Sequence, residues 1–161
     1  MTSKLFLQKR FSIPLYLLLN FSALGIGSWL MNEGPVSDWY SSLNKAPWSP
    51  PGWVFGFAWT TIMLCFSLYM SCLTRAIPSR KVFVLFAIQW VLNTSWNFVF
   101  FNRHWVLLGL LVLLLLTALL GYLMTAYKSL LKGHTLLVFP YFVWLLVAIS
   151  LNAYVFFCNK L

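Results

Sequence analysis

The sequence predicts an all-α membrane protein, a five-transmembrane-helix bundle forming a single domain over residues 1–161. Three observations carry that prediction. Apolar residues make up 61% of the chain and charged ones only 8%, with a mean hydropathy of +0.84, more apolar surface than one small soluble core can bury. These residues gather in five runs, residues 11–31, 53–73, 82–101, 105–126 and 136–157, each about as long as a bilayer's hydrocarbon is thick. None of the runs contains Asp, Glu, Lys, Arg or His. No linker, low-complexity segment or internal repeat divides the chain.

Taken in order, the first run follows Lys4, Lys9 and Arg10 in the manner of a signal peptide, but its length exceeds an ordinary h-region and it reads as a span. Residues 32–51 form a long loop holding both acidic residues of the chain, Glu33 and Asp38. The loop ends in a stiff turn, because Pro47, Pro50 and Pro51 fix φ and remove three backbone donors. Pro51 suits the first turn of a helix beginning near Gly52. This junction delivers Trp48, Trp53 and Trp59 to the membrane. Trp48 and Trp53 fit either an interfacial aromatic belt or a site, whereas Trp59, about one and a half turns inside, reads as a site residue. The fourth run is the plainest: residues 106–120 hold twelve Leu or Val. At about −0.3 to −0.6 kcal/mol each, these contribute roughly −4 to −7 kcal/mol to insertion. Runs two, three and five carry more Trp, Asn, Ser and Tyr and are expected to face one another.

The basic residues set the topology. With five spans, Lys4, Lys9, Arg10, Arg75, Arg80, Lys81, Lys128 and Lys132 share one side, against Lys45, Arg103 and Lys160 on the other. That bias predicts a cytoplasmic N-terminus, an external C-terminus and an external loop 32–51, as in a bacterial inner membrane. The net charge of +9 is spread over short tracts rather than one amphipathic face, so lipid head groups explain it and nucleic acid does not. Cys65, Cys72 and Cys158 lie in apolar runs without C-x-x-C spacing and read as buried thiols. The absence of ionisable groups at depth argues against ion-coupled transport. His104 and His134 fall in loops on opposite sides and cannot share a metal, so no metal site and no required cofactor is expected. No paired carboxylate, and no base beside a hydroxyl, offers hydrolytic chemistry.

What remains is neutral polar groups beside aromatic ones. Gln89, Asn93, Trp96 and Asn97 recur at helical spacing on the third run. Tyr141, Trp144, Ala148 and Asn152 do so on the fifth, Tyr16, Asn20, Ala23 and Gly27 on the first, and Phe55, Trp59, Ile62 and Phe66 on the second. Amides are costly against lipid, so these stripes point inward. Asn20 and Asn152 read as interhelical glue; Gln89 and Asn93 fit glue or ligand contact equally.

Three motifs then stand in register: W-S-P-P-G-W-V-F-G-F-A-W from Trp48, L-N-T-S-W-N-F-V-F-F from Leu92 and P-Y-F-V-W-L-L-V-A-I-S-L-N from Pro140. Together they resemble the TspO/MBR family of translocator and tryptophan-rich sensory proteins. The resemblance implies a five-helix bundle, usually a homodimer, with a cavity opening toward the first loop. That cavity takes tetrapyrroles such as protoporphyrin IX and, in some members, cholesterol or benzodiazepine-type ligands. Trp59 and Trp144 fall on the tryptophans implicated in light-dependent porphyrin breakdown, and would be catalytic if the protein is an enzyme. Gln89, Asn93, Trp96, Phe101, Trp105 and Ala148 fall on pocket positions, and Trp39 and Tyr40 on the loop; Trp53 joins them as a binding candidate. The residue pattern agrees, since a flat macrocycle wants aromatic faces and a few orienting amides.

The chain also departs from the pattern. Asn97 and Phe98 follow Trp96 where a proline is usual, so different local geometry is expected. Met63 replaces a common tyrosine, and Gly109 a common acid. Leu151, Tyr154 and Lys160 satisfy a loose sterol-contact pattern, but Ala153 stands where the family's tyrosine belongs. The leading expectation is binding of porphyrin-like ligands for transport or sensing, with residues 33–51 as a lid. The alternatives are a light- and oxygen-dependent porphyrin-degrading enzyme and a membrane scaffold, in which Ala23-x-x-x-Gly27 would support close helix contact.

Overall fold

The computed structural model describes the backbone of residues 2–159 and the side chains of residues 12–159. The side chains of Lys4, Lys9, Arg10 and Lys160, used above for topology and sterol contact, lie outside the described residues. Helix α1 runs Thr2–Leu30 and is followed by a 3-10 turn, Gly34–Val36, and a short α2, Asp38–Ser42. Then come α3, Gly52–Ala76, and α4, Arg80–Asn97, which a π-helical turn, Phe98–Asn102, prolongs. Helix α5, Val106–Ala126, leads through a short α6, Lys128–Leu131, and a 3-10 stretch, Lys132–Val138, to α7, Phe139–Cys158. Five of these stretches, Ser12–Val36, Gly52–Ala76, Arg80–Asn102, Val106–Ala126 and Lys128–Cys158, are long and apolar enough to cross a membrane.

Three elements differ from the sequence expectation, each for a local reason. Helix α1 begins well before residue 11, because the basic residues ahead of the apolar run are themselves good helix formers. The long loop is structured: Pro35 opens the 3-10 turn, and the Ser37 hydroxyl caps α2 by accepting from the Tyr40 N–H at 3.2 Å. The third span, lacking the family's proline after Trp96, widens instead of breaking. Its Arg103 N–H donates to the Phe98 carbonyl at 3.0 Å, and the Trp105 N–H to the Val99 carbonyl at 3.0 Å.

Packing is dense in the half of the bundle away from the long loop. Tyr16, Phe66, Tyr69, Phe86, Leu116, Leu120 and Tyr141 form one buried cluster there. Polar side chains tie the helices across it. Asn20 Nδ2 donates to Ser67 Oγ at 2.8 Å, joining α1 to α3, and Tyr69 donates to the Leu123 carbonyl at 2.8 Å, joining α3 to α5. Trp90 Nε1 donates to the Leu19 carbonyl at 2.8 Å, joining α4 to α1. Asn152 reaches α5 through the Val106 carbonyl at 2.9 Å and accepts from Trp96 Nε1 at 3.3 Å. Asn20 and Asn152 are therefore interhelical glue. The Ala23 and Gly27 pair also acts within the chain. A Cβ on Gly27 would lie 2.6 Å from Asn97 Nδ2, so only glycine lets α1 approach α4 this closely.

Candidate functional site

Toward the long loop the bundle is hollow. A cavity of about 550 Å³ lies between α1, α3, α4 and the loop, within the range that holds a ligand of drug size. Its walls follow from helical spacing. Phe55 and Trp59, one turn apart, face it from α3; Trp96 from α4 and Phe101 from the π turn face it from the other side. The loop roofs it with Tyr40 and Lys45. Rings brace one another around it: Trp96 stacks on Phe100 at 5.1 Å and 14° and meets Phe101 edge-on at 5.6 Å, while Tyr40 lies 5.3 Å from Phe101. Such mutually packed rings present fixed apolar faces.

The floor is polar and neutral. Gln89 Nε2 donates to the Tyr141 hydroxyl at 3.0 Å, and that hydroxyl donates to Asn93 Oδ1 at 2.8 Å. The chain of bonds orients the Asn93 amide, because its oxygen is engaged below and its nitrogen is left for the cavity it lines. Asn93 is 6% exposed, so a ligand meeting this donor meets it out of water. Among the described residues Lys45 is the one charged residue lining the large cavity, and its Nζ stands 4.5 Å from the centre of the Tyr40 ring. Burial pushes the Tyr40 phenol above its usual range, so it meets a ligand as a neutral hydroxyl.

The structure brings together Tyr40, Trp59, Asn93, Trp96 and Phe101 on this cavity. Trp144 and Ala148 stand behind it, on a smaller void of about 40 Å³ shared with Phe55, Trp59, Asn93 and Trp96. Phe55 separates Trp144 from the large cavity, edge to face at 5.2 Å and 85°. Gln89 is beneath the floor, 1% exposed, and acts through Tyr141 rather than on the cavity itself. Trp39 lines an adjoining cleft of about 270 Å³, where its ring stacks on His104 at 3.9 Å and 11°.

Trp53 and Trp105 are not on the cavity, and this corrects their placement. Trp53 is 73% exposed: six residues before Trp59 on a helix of about 3.6 residues per turn, it points to another face. Trp105, 54% exposed at the N-cap of α5, lies 5.9 Å from the Arg103 guanidinium. For Trp53 this leaves the aromatic-belt alternative. Residues that sequence reasoning did not assign to the site include Phe55 of α3, Leu24 and Ser28 of α1, Lys45, and Asn97. Asn97 shares the Asn93 face and was legible by spacing; Lys45 carried no signal beyond its nearness to the proline-rich turn. Gly109, where an acid is common, is packed shut: a Cβ would lie 3.1 Å from Asn152 Oδ1 and 3.4 Å from Phe100. Among the described residues, no three His, Cys, Asp or Glu lie together in a way that could hold a metal ion.

A bundle of five membrane-spanning helices with an aromatic-walled cavity under a structured loop defines a multi-pass integral membrane protein with an intrabundle cavity. The chain belongs to the TspO/MBR family, whose profile matches residues 16–157. It is 32% identical over 115 residues to the tryptophan-rich sensory protein of Cereibacter sphaeroides, covering 71% of this chain and 73% of that one. It is 32% identical over 134 residues to the tryptophan-rich protein TspO of Chlorobaculum tepidum, covering 81% and 85% respectively. The translocator protein of Bos taurus is 31% identical over 119 residues, covering 71% of this chain and 70% of its own.

Proposed function

We propose that the cavity binds a porphyrin-like tetrapyrrole, of the protoporphyrin IX class, for transport or sensing across the bilayer. One observation carries this reading: Trp59, Phe55, Trp96, Phe101 and Tyr40 surround about 550 Å³ of space with the Asn93 amide at the floor and Asn97 on the same helix face. Flat conjugated rings gain from offset and edge contacts with such walls, and the amide orients an acceptor atom. The protein needs no further cofactor. By the positive-inside bias, its N-terminus faces the cytoplasm and the loop faces outward, in a bacterial inner membrane. It pairs as a homodimer through α4, whose Phe83, Val84, Ile88 and Val91 are exposed. Sterol contact is the weaker ligand reading, since the C-terminal pattern lacks its tyrosine.

A second reading, light- and oxygen-dependent degradation of the bound porphyrin, is favoured by Trp59, an oxidisable ring on the cavity wall. Illumination of the complex in air separates the two. Loss of porphyrin absorbance with appearance of a new chromophore, absent in Trp59→Phe with Trp144→Phe, establishes the enzyme. Release of unchanged porphyrin establishes the carrier or sensor, and turnover that survives both substitutions contradicts the roles given to these tryptophans.

A further inference from the structure

The lower and upper halves of the α1–α3 contact differ. Below, the helices are joined by hydrogen bonds: Ser12 Oγ lies 2.7 Å from Ser71 Oγ, Arg75 Nε donates to Ser12 Oγ at 2.8 Å, and Asn20 Nδ2 donates to Ser67 Oγ at 2.8 Å. Above the Asn20–Ser67 pair, no hydrogen bond joins α1 to α3 among the described residues. There α1 leans on α4 through Gly27 and Asn97. On α3, a Cβ placed on Gly52 or Gly56 would meet nothing within 4 Å. Yet Gly52, Gly56 and Thr60 on α3, and Ser28 on α1, both line the large cavity and are exposed. The cavity wall is thus unfilled at the helix seam, within two stretches long and apolar enough to cross a membrane.

The loop above the cavity is fastened. Asn159 accepts from the Asn44 N–H at 2.8 Å and donates to the Asn44 carbonyl at 3.1 Å. Trp48 donates to Ser150 at 3.2 Å and meets Tyr154 edge-on at 5.4 Å, and Trp39 is stacked on His104. Opening along the bundle axis breaks these contacts; opening at the seam breaks none of them. Inside stands the Asn93 amide, 6% exposed and with its nitrogen unpartnered, which marks the space as one built to meet a polar atom of a guest.

We infer that the seam between the upper halves of α1 and α3, lined by Ser28, Gly52, Gly56 and Thr60, is a lateral portal through which an amphipathic ligand dissolved in the bilayer reaches the cavity. Small side chains keep the gap open, and an apolar ligand passing there never leaves a low-dielectric medium. This inference rests on the porphyrin reading for its probe. The test is stopped-flow quenching by protoporphyrin IX of the full chain in phosphatidylcholine nanodiscs, comparing wild type, Gly56→Leu, Ser28→Leu and the lipid-facing control Leu115→Phe. The two seam variants are expected to slow both association and dissociation by about threefold or more, a joint slowing that loss of a cavity contact alone would not produce, while the control matches wild type. Seam variants that keep wild-type rates overturn the portal, as does a weakened Kd with unslowed association, which would place these positions in the binding surface. A second measurement bridges the loop to α7 with a thiol cross-linker through Asn44→Cys and Asn159→Cys, in a chain with Cys65, Cys72 and Cys158 replaced by alanine. The association rate is expected to survive the bridge; its collapse means that the axial route is used. Absence of saturable quenching in wild type contradicts the porphyrin reading itself, and is thereby distinguished from failure of the portal.

Discussion

Tyr141 shows how much of the candidate site rests on single atoms. Its hydroxyl accepts from Gln89 at 3.0 Å and donates to Asn93 at 2.8 Å, while Gln89 Oε1 is already buried without a partner. Tyr141→Phe would leave two more buried polar atoms unpaired and cost about 1–3 kcal/mol, read as a lowered Tm in detergent. It would also free the Asn93 amide to turn, weakening binding; a variant with unchanged Tm and affinity would contradict the role given to the chain of bonds. The tryptophans are predicted to be unequal. Trp59→Phe, on the cavity wall, is expected to weaken porphyrin binding by about 0.5–1.5 kcal/mol. Trp144→Phe, screened by Phe55, is expected to change it by less than half as much in the same titration. From sequence the two looked equivalent, because both fall on the pocket tryptophans that the family resemblance implies. Only the packing of Phe55 against Trp144 sets them at different depths.

At the scale of elements, the legible features were those that helical spacing alone determines. The inward stripes of the first, second, third and fifth spans are buried or, where they border the cavity, half-buried, because neutral amides and small residues are the ones costly or useless against lipid. Less legible were the ends. Whether α4 stops after Trp96 depended on one absent proline, and its replacement by a π turn places Phe101 on the cavity and lets Trp105 point away from it. Two glycines test the helix contacts directly. Gly27→Leu drives a side chain into Asn97, whose Nδ2 would already lie 2.6 Å from the first carbon. It is expected to cost about 1–3 kcal/mol by overpacking, seen as a lower thermal transition and loss of monodisperse protein. Gly109→Asp restores the acid common at that position but sets it beside Asn152 Oδ1 and Phe100. It is expected to be less stable than Gly109→Ala by the same assay, since it adds like-signed oxygens to the same crowding.

At the scale of the whole molecule, the number and order of spans followed from composition, because a bilayer admits few ways to satisfy twenty apolar residues' backbone. The cavity did not follow in the same way. Its existence depends on where α1 parts from α3 and how the loop is tied to α7, and these are contacts between residues far apart in sequence, such as Asn44 with Asn159. The pairing proposed through α4 makes a separate prediction: Val91→Arg is expected to convert a dimer to a monomer by light scattering in detergent, with the far-ultraviolet spectrum unchanged, and a persisting dimer would contradict that face. The central claim is that the aromatic cavity takes a tetrapyrrole, and a dark titration of the purified protein with protoporphyrin IX, read by tryptophan quenching, tests it most directly. Saturable one-site quenching that weakens in Trp59→Phe and in Asn93→Leu, but not in Trp53→Phe, is the result predicted here. Quenching that never saturates, or that is equally strong in all three variants, would contradict it.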